Sequence, residues 1–501
     1  MKGVTAMAQK LLIGIDIGTG SSKGVLVTLD GSVVSMSEKP HSLSLPKPGW
    51  AEHDAETVWW ADFKAICDDL VAAAGEDEIA GLAMSGIGPC FLAADEDADP
   101  LRPGILYGID TRAMAEVHEL TENYGESKII KRCGNPMNAQ SIGAKILWLR
   151  RHEPEIYEKT KYFFMAHTYL AHRLTGVYYL DHISASYSEP LYDVGKNKWI
   201  DKWVKDIAPG LPMPELKWPT EVVGTITAEG AQRSGLPEGI PVAAGTMDSF
   251  ADAMSVGVRK PGDAVVIYGS TMSIVLVTEE SLPSAQLWSN AHLFKDTYNL
   301  ASGMATSGSL TKWLRDMVGN VSFDELTKEA QSVPPGSDGL VILPYFAGER
   351  TPLLDPNARG TIIGLTLNHG RGHLYRALME ATAYGARHLL EVMHDAGGGG
   401  RRAYAVGGGT KGGLWPQIVS DITGLSQEIS EQSVGACYGD AMLIGVAGGF
   451  IDKDADWSPR VGSVEPNEEN KDRYDQLYRI YRQLHPATVT LQHALADFQN
   501  S

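Results

Sequence analysis

Asp16-Ile17-Gly18-Thr19-Gly20-Ser21-Ser22-Lys23 is the stretch from which the fold can be read. Leu11 to Ile17 is apolar up to Asp16 and reads as a buried strand. Val25 to Leu29 reads as a second strand, ending at the Asp30-Gly31 turn. The turn between them is rich in glycine and hydroxyls, so its backbone N–H groups can face phosphate oxygens with no Cβ in the way. A carboxylate two residues earlier, at a strand end, is placed to hold magnesium directly or through water. The same residues also make a plain hairpin with Asp16 bonded to turn amides, and spacing alone leaves both readings open. A dinucleotide fingerprint does not fit, because Lys23 takes the place of the last glycine and a strand follows where a helix should open.

Outward from this hairpin, a helix is expected at about 56–74 with Trp59, Phe63, Ile66 and Leu70 on one face. Ile79 to Met84 is the next apolar run and empties into Ser85-Gly86-Ile87-Gly88-Pro89. Helical stretches around 143–153 and 165–174 precede an irregular region at 178–200. Pro241 to Ala244 is a short strand leading into Gly245-Thr246-Met247-Asp248. Near residue 261 the opening theme returns: Ala264 to Tyr268, then Gly269-Ser270-Thr271, then Ile274 to Val277. Long amphipathic helices follow at 373–395 and 468–485. The expectation is an α/β protein of two domains, 10–258 and 259–495, each opening on a Gly-rich hairpin. A chain of 501 residues is too long for one core and suits that division.

Composition narrows the function classes. With 43 basic and 62 acidic residues the net charge is −19, which argues against a surface built to coat nucleic acid or an anionic membrane. No apolar run reaches membrane-spanning length, and the first nine residues read as a frayed leader or a cloning remnant. Cys67, Cys90, Cys133 and Cys437 are scattered, with neither disulfide nor zinc spacing, so a reducing compartment, the cytoplasm, is expected. His152, His167 and His172 read as surface or helix-cap groups, Trp59-Trp60 as core, and the acidic run 95–99 as a solvated loop.

Two further features carry chemistry. Asp248 follows a strand's C-terminal end, where open α/β sheets place their ligands. There it can orient and deprotonate an attacking hydroxyl, or Thr246 or Asp248 can simply cap the helix through Phe250 and Met254; Asp252 is a competing base. Gly407-Gly408-Gly409-Thr410-Lys411-Gly412 satisfies G-x-G-x-x-G and opens a helix with Trp415 and Ile418. Too little chain follows for a dinucleotide fold, so it reads as a glycine loop against which an adenosine lies.

Together these pieces resemble the FGGY family of carbohydrate kinases, in its xylulose kinase-like branch, from about residue 11 to 490. The opening hairpin resembles the family's D-x-G-T-x-S-x-K/R element. Lys145 to His152 resembles K-x-x-W-x-x-x-[EH], with Ile142 where a small or hydroxyl residue is expected. Gly360 to Leu365 with His373-Leu374 and Ala377 to Glu380 resembles the second-domain signature, and Gly407 to Thr410 with Trp415, Gln417, Asp421 and Thr423-Gly424 resembles the adenosine element.

The resemblance implies two domains of the actin, hexokinase and chaperone-ATPase (ribonuclease H-like) type with the active site between them. It implies Asp248 as catalytic base, Asp16 at magnesium, and ATP held by Thr19, Gly20, Ser21, Lys23, Gly269, Ser270, Thr271, Gly308, Lys312, Gly408, Gly409 and Thr410. A small sugar or polyol is expected at Gly88, Pro89, Tyr107, Asp110 and Asp248. The sugar loop Gly86-Ile87-Gly88-Pro89-Cys90 lacks the family's usual polar side chains, and Ser249 and Tyr107 depart from Asn and Trp, so a pentulose, another ketose or a polyol all remain in view. The resemblance also favours a homodimer. Competing readings are a kinase-like sugar-binding regulator without turnover and a dehydrogenase built on 407–412. Retention of Asp16, Lys23 and Asp248 together speaks against the regulator. Hinge closure is expected near Val256-Gly257-Val258.

Overall fold

In the computed structural model, which describes residues 8–400, 402–430, 435–458 and 460–500, the opening hairpin lies inside a seven-stranded sheet. Lys10–Ile17 and Ser21–Thr28 pair antiparallel, with Asp16 opposite Lys23. Val33–Pro40 extends the sheet beyond the second strand, and Glu78–Gly86 joins parallel on the other side of the first. Pro241–Ala243 and Val222–Thr225 complete that flank, and Thr246–Met247 pairs with the end of Glu78–Gly86.

The first strand is apolar from Leu11 to Ile15 because helices cover both faces of the sheet. Leu11, Ile13, Ile15 and Ile17 share a core with Phe63, Ile66 and Leu70 of the helix Ala61–Ala74. Leu12 faces the opposite way, into a core with Ala441, Leu443 and Ile444 of the helix Ala436–Ala447. That helix belongs by sequence to the stretch after 259, yet its packing partners are in the first sheet. Glycine explains the close approach. A Cβ on Gly14 would collide with the Cys437 carbonyl, and one on Gly439 with the Ala251 carbonyl.

The second sheet repeats the first. Asp263–Tyr268 and Met272–Thr278 form an antiparallel hairpin, extended by Tyr298–Gly303 and Trp288–Ala291 on one side. On the other side Arg402–Val406 and Gln427–Ser430 add in parallel, and Arg460–Val464 closes the edge antiparallel. The core beneath is built on the helix Arg371–Asp395, with Tyr375, Leu378, Ala381 and Leu389 buried against Ile418 and Ile422. The last helix, Lys471–Asn500, runs past Pro486 and beyond the 468–485 expected. Polar anchors rather than apolar periodicity hold its end, with Gln492 accepting from the Arg359 N–H and donating to Thr361.

Candidate active site

The turn of the first hairpin is closed by the Gly18 N–H donating to the Ser21 carbonyl at 3.1 Å. It is braced by a pair that sequence reasoning missed. His41 lies between Asp62 (Nδ1 to Oδ2, 2.7 Å) and the Gly18 carbonyl (Nε2 to O, 3.1 Å), and Ser22 Oγ donates to the same Asp62 oxygen at 2.8 Å. Neither residue has a motif around it, since 21 residues separate them and tertiary packing brings them together. Lys23 stands at the rim, its Nζ 3.7 Å from Glu38.

Four carboxylates converge where the strand ends meet. Asp16 is pushed well above the ordinary carboxylate range by burial first, then by the charges of Asp248 and Asp252, against the opposing pull of Ser85 and Lys23. Asp248 is raised to about 7, chiefly by burial and further by Asp252, with the Ser249 N–H working the other way. Asp252, one helical turn on, is raised by burial to about 6 while Lys23 lowers it. Asp440, from the helix Ala436–Ala447, is also raised well above normal by burial and by Asp16. Its place here was not readable from the sequence, because its helix arrives from the far end of the chain.

The cap reading of Asp248 does not describe the structure. Met247 is the N-cap of Asp248–Ser255, with no side-chain capping bond. Asp248 accepts from the adjacent Ser249 N–H at 2.7 Å, while Thr246 donates instead to Asp181 at 3.1 Å. Asp181 is in turn paired with His167, Nε2 to Oδ2 at 2.9 Å, and both are fully buried. His167, expected at the surface or a helix cap, is thus an internal hydrogen-bond partner that fixes the strand end before Asp248.

Beside Asp248 the loop 86–90 packs tightly, a Cβ on Gly88 having no room against Met247. Pro89 and Cys90 are buried, and burial pushes the Cys90 thiol up to about 12. Tyr107 is half-buried against the same core, and Gln140 packs on Gly108. Lys145 is fully buried and donates to the Leu106 carbonyl, its ammonium lowered by burial to about 8. Asp110, expected at the sugar, is engaged elsewhere. Both of its oxygens accept from Arg112, and Oδ2 also takes the Ala51 N–H at 2.7 Å. With its carboxylate so occupied and buried, Asp110 holds the loop carrying Tyr107 rather than presenting itself to a ligand.

At the second sheet is a cleft of about 950 Å³. Gly269, Ser270, Gly308, Lys312, Gly408 and Gly409 line it, together with Tyr375 and with Phe323, Thr327 and Gln331, which sequence reasoning did not single out. Gly308 donates to the Gly269 carbonyl at 2.9 Å, and a Cβ there would meet that oxygen at 2.6 Å. Gly407 has φ +101 and abuts the Tyr268 backbone, so only glycine suits the turn. Thr271 and Thr410 support the two loops instead of lining the cleft. Thr271 accepts the Gly269 N–H at 3.0 Å, and Thr410 Oγ1 donates to the Gly407 carbonyl at 2.8 Å.

The duplicated sheets, with carboxylates on one and a glycine-walled cleft on the other, agree with what comparison with known proteins finds. The profile described as FGGY family of carbohydrate kinases, N-terminal domain, matches residues 11–255, and the corresponding C-terminal domain matches 264–448. The chain belongs to the FGGY family of carbohydrate kinases. Within it the chain resembles the xylulose kinase-like branch. It is 27% identical to a xylulose kinase of Bacillus subtilis, over 98% of this chain and 100% of that one. It is 28% identical to a gluconokinase of the same organism, over 97% and 98%. The crystal structure of xylulose kinase from Rhodospirillum rubrum superposes with a TM-score of 0.91 at 32% identity, covering 96% of this chain and 100% of that one.

As an FGGY kinase the protein is a phosphotransferase with an alcohol group as acceptor, using ATP and a small sugar. No helix among the described residues is long and apolar enough to cross a membrane.

Proposed function

We propose that this FGGY kinase phosphorylates a hydroxyl of a pentulose such as xylulose, with Asp248 as general base. The observation that carries the reading is Asp248 itself: a carboxylate at a strand end, raised to about 7, beside the loop 86–90. A base with that affinity can take a proton near neutral pH and still be ionised when substrate arrives. The xylulose kinases among its relatives support the acceptor, and the tightly packed loop against Met247 favours a small sugar.

In this reading Asp248 accepts the proton of the attacking hydroxyl as that oxygen bonds to the γ-phosphorus. The bond to the β,γ-bridging oxygen breaks and ADP leaves. Gly269, Ser270 and Gly308 hold phosphate from the second lobe, and Thr19, Gly20 and Ser21 offer backbone N–H groups from the first. The adenosine lies along Gly408 and Gly409. The residues fit a hard divalent cation, since Asp16 turns its carboxylate oxygen Oδ2 toward the hairpin turn while Ser85 occupies Oδ1. Among the described residues no three His, Cys, Asp or Glu side chains are grouped to hold a metal alone. That suits magnesium, which takes one or two carboxylates and completes its shell with water and phosphate. Bound there, it would supply charge neutralisation at the phosphates.

The test is ADP release by the full chain with D-xylulose, D-ribulose, gluconate and glycerol at saturating ATP and magnesium. The reading expects the highest kcat/KM with a pentulose. A preference for gluconate or glycerol would overturn the acceptor, and sugar-independent ADP release alone would overturn sugar phosphorylation.

A further inference from the structure

Asp440 is fully buried on a helix whose other inward residues, Cys437, Ala441 and Ile444, are apolar. A carboxylate in such a place is costly unless something requires it. Ser85 Oγ lies 2.6 Å from Asp440 Oδ2 and 3.2 Å from Asp16 Oδ1. Asp16 stands beside Ser85 in the sheet register, so the hydroxyl is a joint between the two carboxylates. The other Asp16 oxygen, Oδ2, points to the hairpin turn, 3.7 Å from where a Cβ on Gly18 would stand. One oxygen is therefore tethered and the other presented. Rotation of the Asp16 carboxylate would break the Ser85 contact, and loss of Asp440 would leave Ser85 without its nearer partner.

The approach is built into the backbone. Gly14 admits the Asp440 turn, since a Cβ there would lie 2.9 Å from Asp440 Cβ, and Gly439 admits the helix against Ala251. The helix follows in sequence the strand Gln427–Ser430 of the nucleotide-side sheet. The anchor for a first-lobe carboxylate thus comes from chain that has just left the second lobe.

We propose that Asp440 is a positioning residue for Asp16, acting through Ser85 to fix the carboxylate oxygen that Asp16 turns toward the phosphate hairpin and its magnesium. The proposal rests on the kinase reading of Asp16. Groups that orient a metal-associated carboxylate in this way change metal affinity by about 10–100-fold when removed.

The probe is ADP titrated calorimetrically into the full chain, with and without magnesium. The variants are Asp440→Ala, Asp440→Asn and Ser85→Ala, each checked by its melting curve. Asp440→Ala and Ser85→Ala are expected to reduce the magnesium enhancement of ADP affinity at least tenfold while metal-free ADP affinity stays within about twofold. Asp440→Asn keeps an amide oxygen that can accept from Ser85 Oγ, and adds a donor, so it is expected within threefold of the parent chain. The proposal is overturned by an unchanged enhancement in Asp440→Ala, by equal loss in the Asn and Ala variants, or by a parent chain whose ADP binding ignores magnesium. Should Asp440→Ala not fold, Ser85→Ala carries the same comparison. Absence of sugar-dependent ADP release from the parent chain would instead sink the kinase reading, and the calorimetry reports on Asp440 either way.

Discussion

Asp248 is the residue on which most depends, and its chemistry makes sharp demands. Replacing it with Asn keeps shape and polarity but removes the capacity to take a proton. Asp248→Asn is therefore expected to lower kcat by about 10²–10⁴-fold with sugar KM changed little. Near-normal turnover would transfer the base to Asp252. Because the base must be ionised, kcat/KM should fall about tenfold per pH unit below about 7, the value Asp248 takes in the free protein. Asp252 is a negative charge that raises Asp248, so Asp252→Asn should move that acid limb to lower pH; a shift to higher pH would refute the coupling. The same substitution has a stability consequence with a definite sign. The half-buried Asp252 carboxyl is raised from the ordinary Asp value of about 3.9 to about 6, so the folded state favours its protonated form. That contribution is present below the ordinary value and is lost as pH rises through about 6. Asp252→Asn should thus raise the melting temperature of the metal-free protein at pH 8 more than at pH 4. Equal shifts at both would mean that the gain is not electrostatic.

At the scale of elements, the molecule is one hairpin theme used twice, and that much was legible. A strand, a Gly-hydroxyl turn and a second strand have a continuous apolar run on each side of a turn chemistry that a sequence displays directly. Both hairpins, the helix at 371–395 and the glycine loop at 407–412 are where the residues pointed. What was not legible shares one physical cause: it depends on contacts between segments far apart in the chain. His41 bracing Gly18, Asp181 holding Thr246, Asp110 taking the Ala51 N–H and Asp440 reaching Ser85 are set by packing, which no local pattern encodes. Glycine was the partial signal. Gly14 interrupts an apolar strand and Gly439 a buried helix, each marking a close backbone approach without naming its partner. This gives a test of the packing. Gly439→Ala puts a methyl group into the Ala251 carbonyl and should destabilise the fold by about 2–3 kcal/mol. Gly399→Ala, with nothing within 4 Å, should be nearly neutral. Denaturant titration of both variants decides the matter; equal midpoints would contradict the tight seating of the helix Ala436–Ala447.

At the scale of the whole molecule, the reacting groups are divided between two sheets. Asp16 and Asp248 stand on the first and the glycine-walled cleft on the second, so in the proposed reaction a phosphoryl group must be carried to the hydroxyl and shielded from water. The structure restricts how closure can happen. The edge strand Trp288–Ala291 is gripped by the first lobe: the Ser289 N–H donates to Asn135 Oδ1 at 2.6 Å and the Ala291 N–H to Ser186 Oγ at 3.0 Å. At the first crossing Gly257 takes φ +86, and Arg259 donates to the Lys453 and Ala455 carbonyls at 2.9 and 2.7 Å, tying that crossing to the returning chain. These contacts make a fixed side, so the lobes should swing about it and bring the walls at Gly269 and Gly408 toward Asp16 and Asp248. Small-angle scattering with sugar plus a non-hydrolysable ATP analogue should then show a smaller radius of gyration than the free protein, with neither ligand alone giving the full change. Loosening the fixed side should weaken closure rather than chemistry. Asn135→Ala is expected to raise sugar-independent ATP hydrolysis and to reduce the scattering change, because a lobe without its pivot closes less completely and admits water as the acceptor. An identical scattering profile with and without both ligands would mean that the cleft is preformed, and the hydrolysis of the Asn135 variant should then match the parent chain.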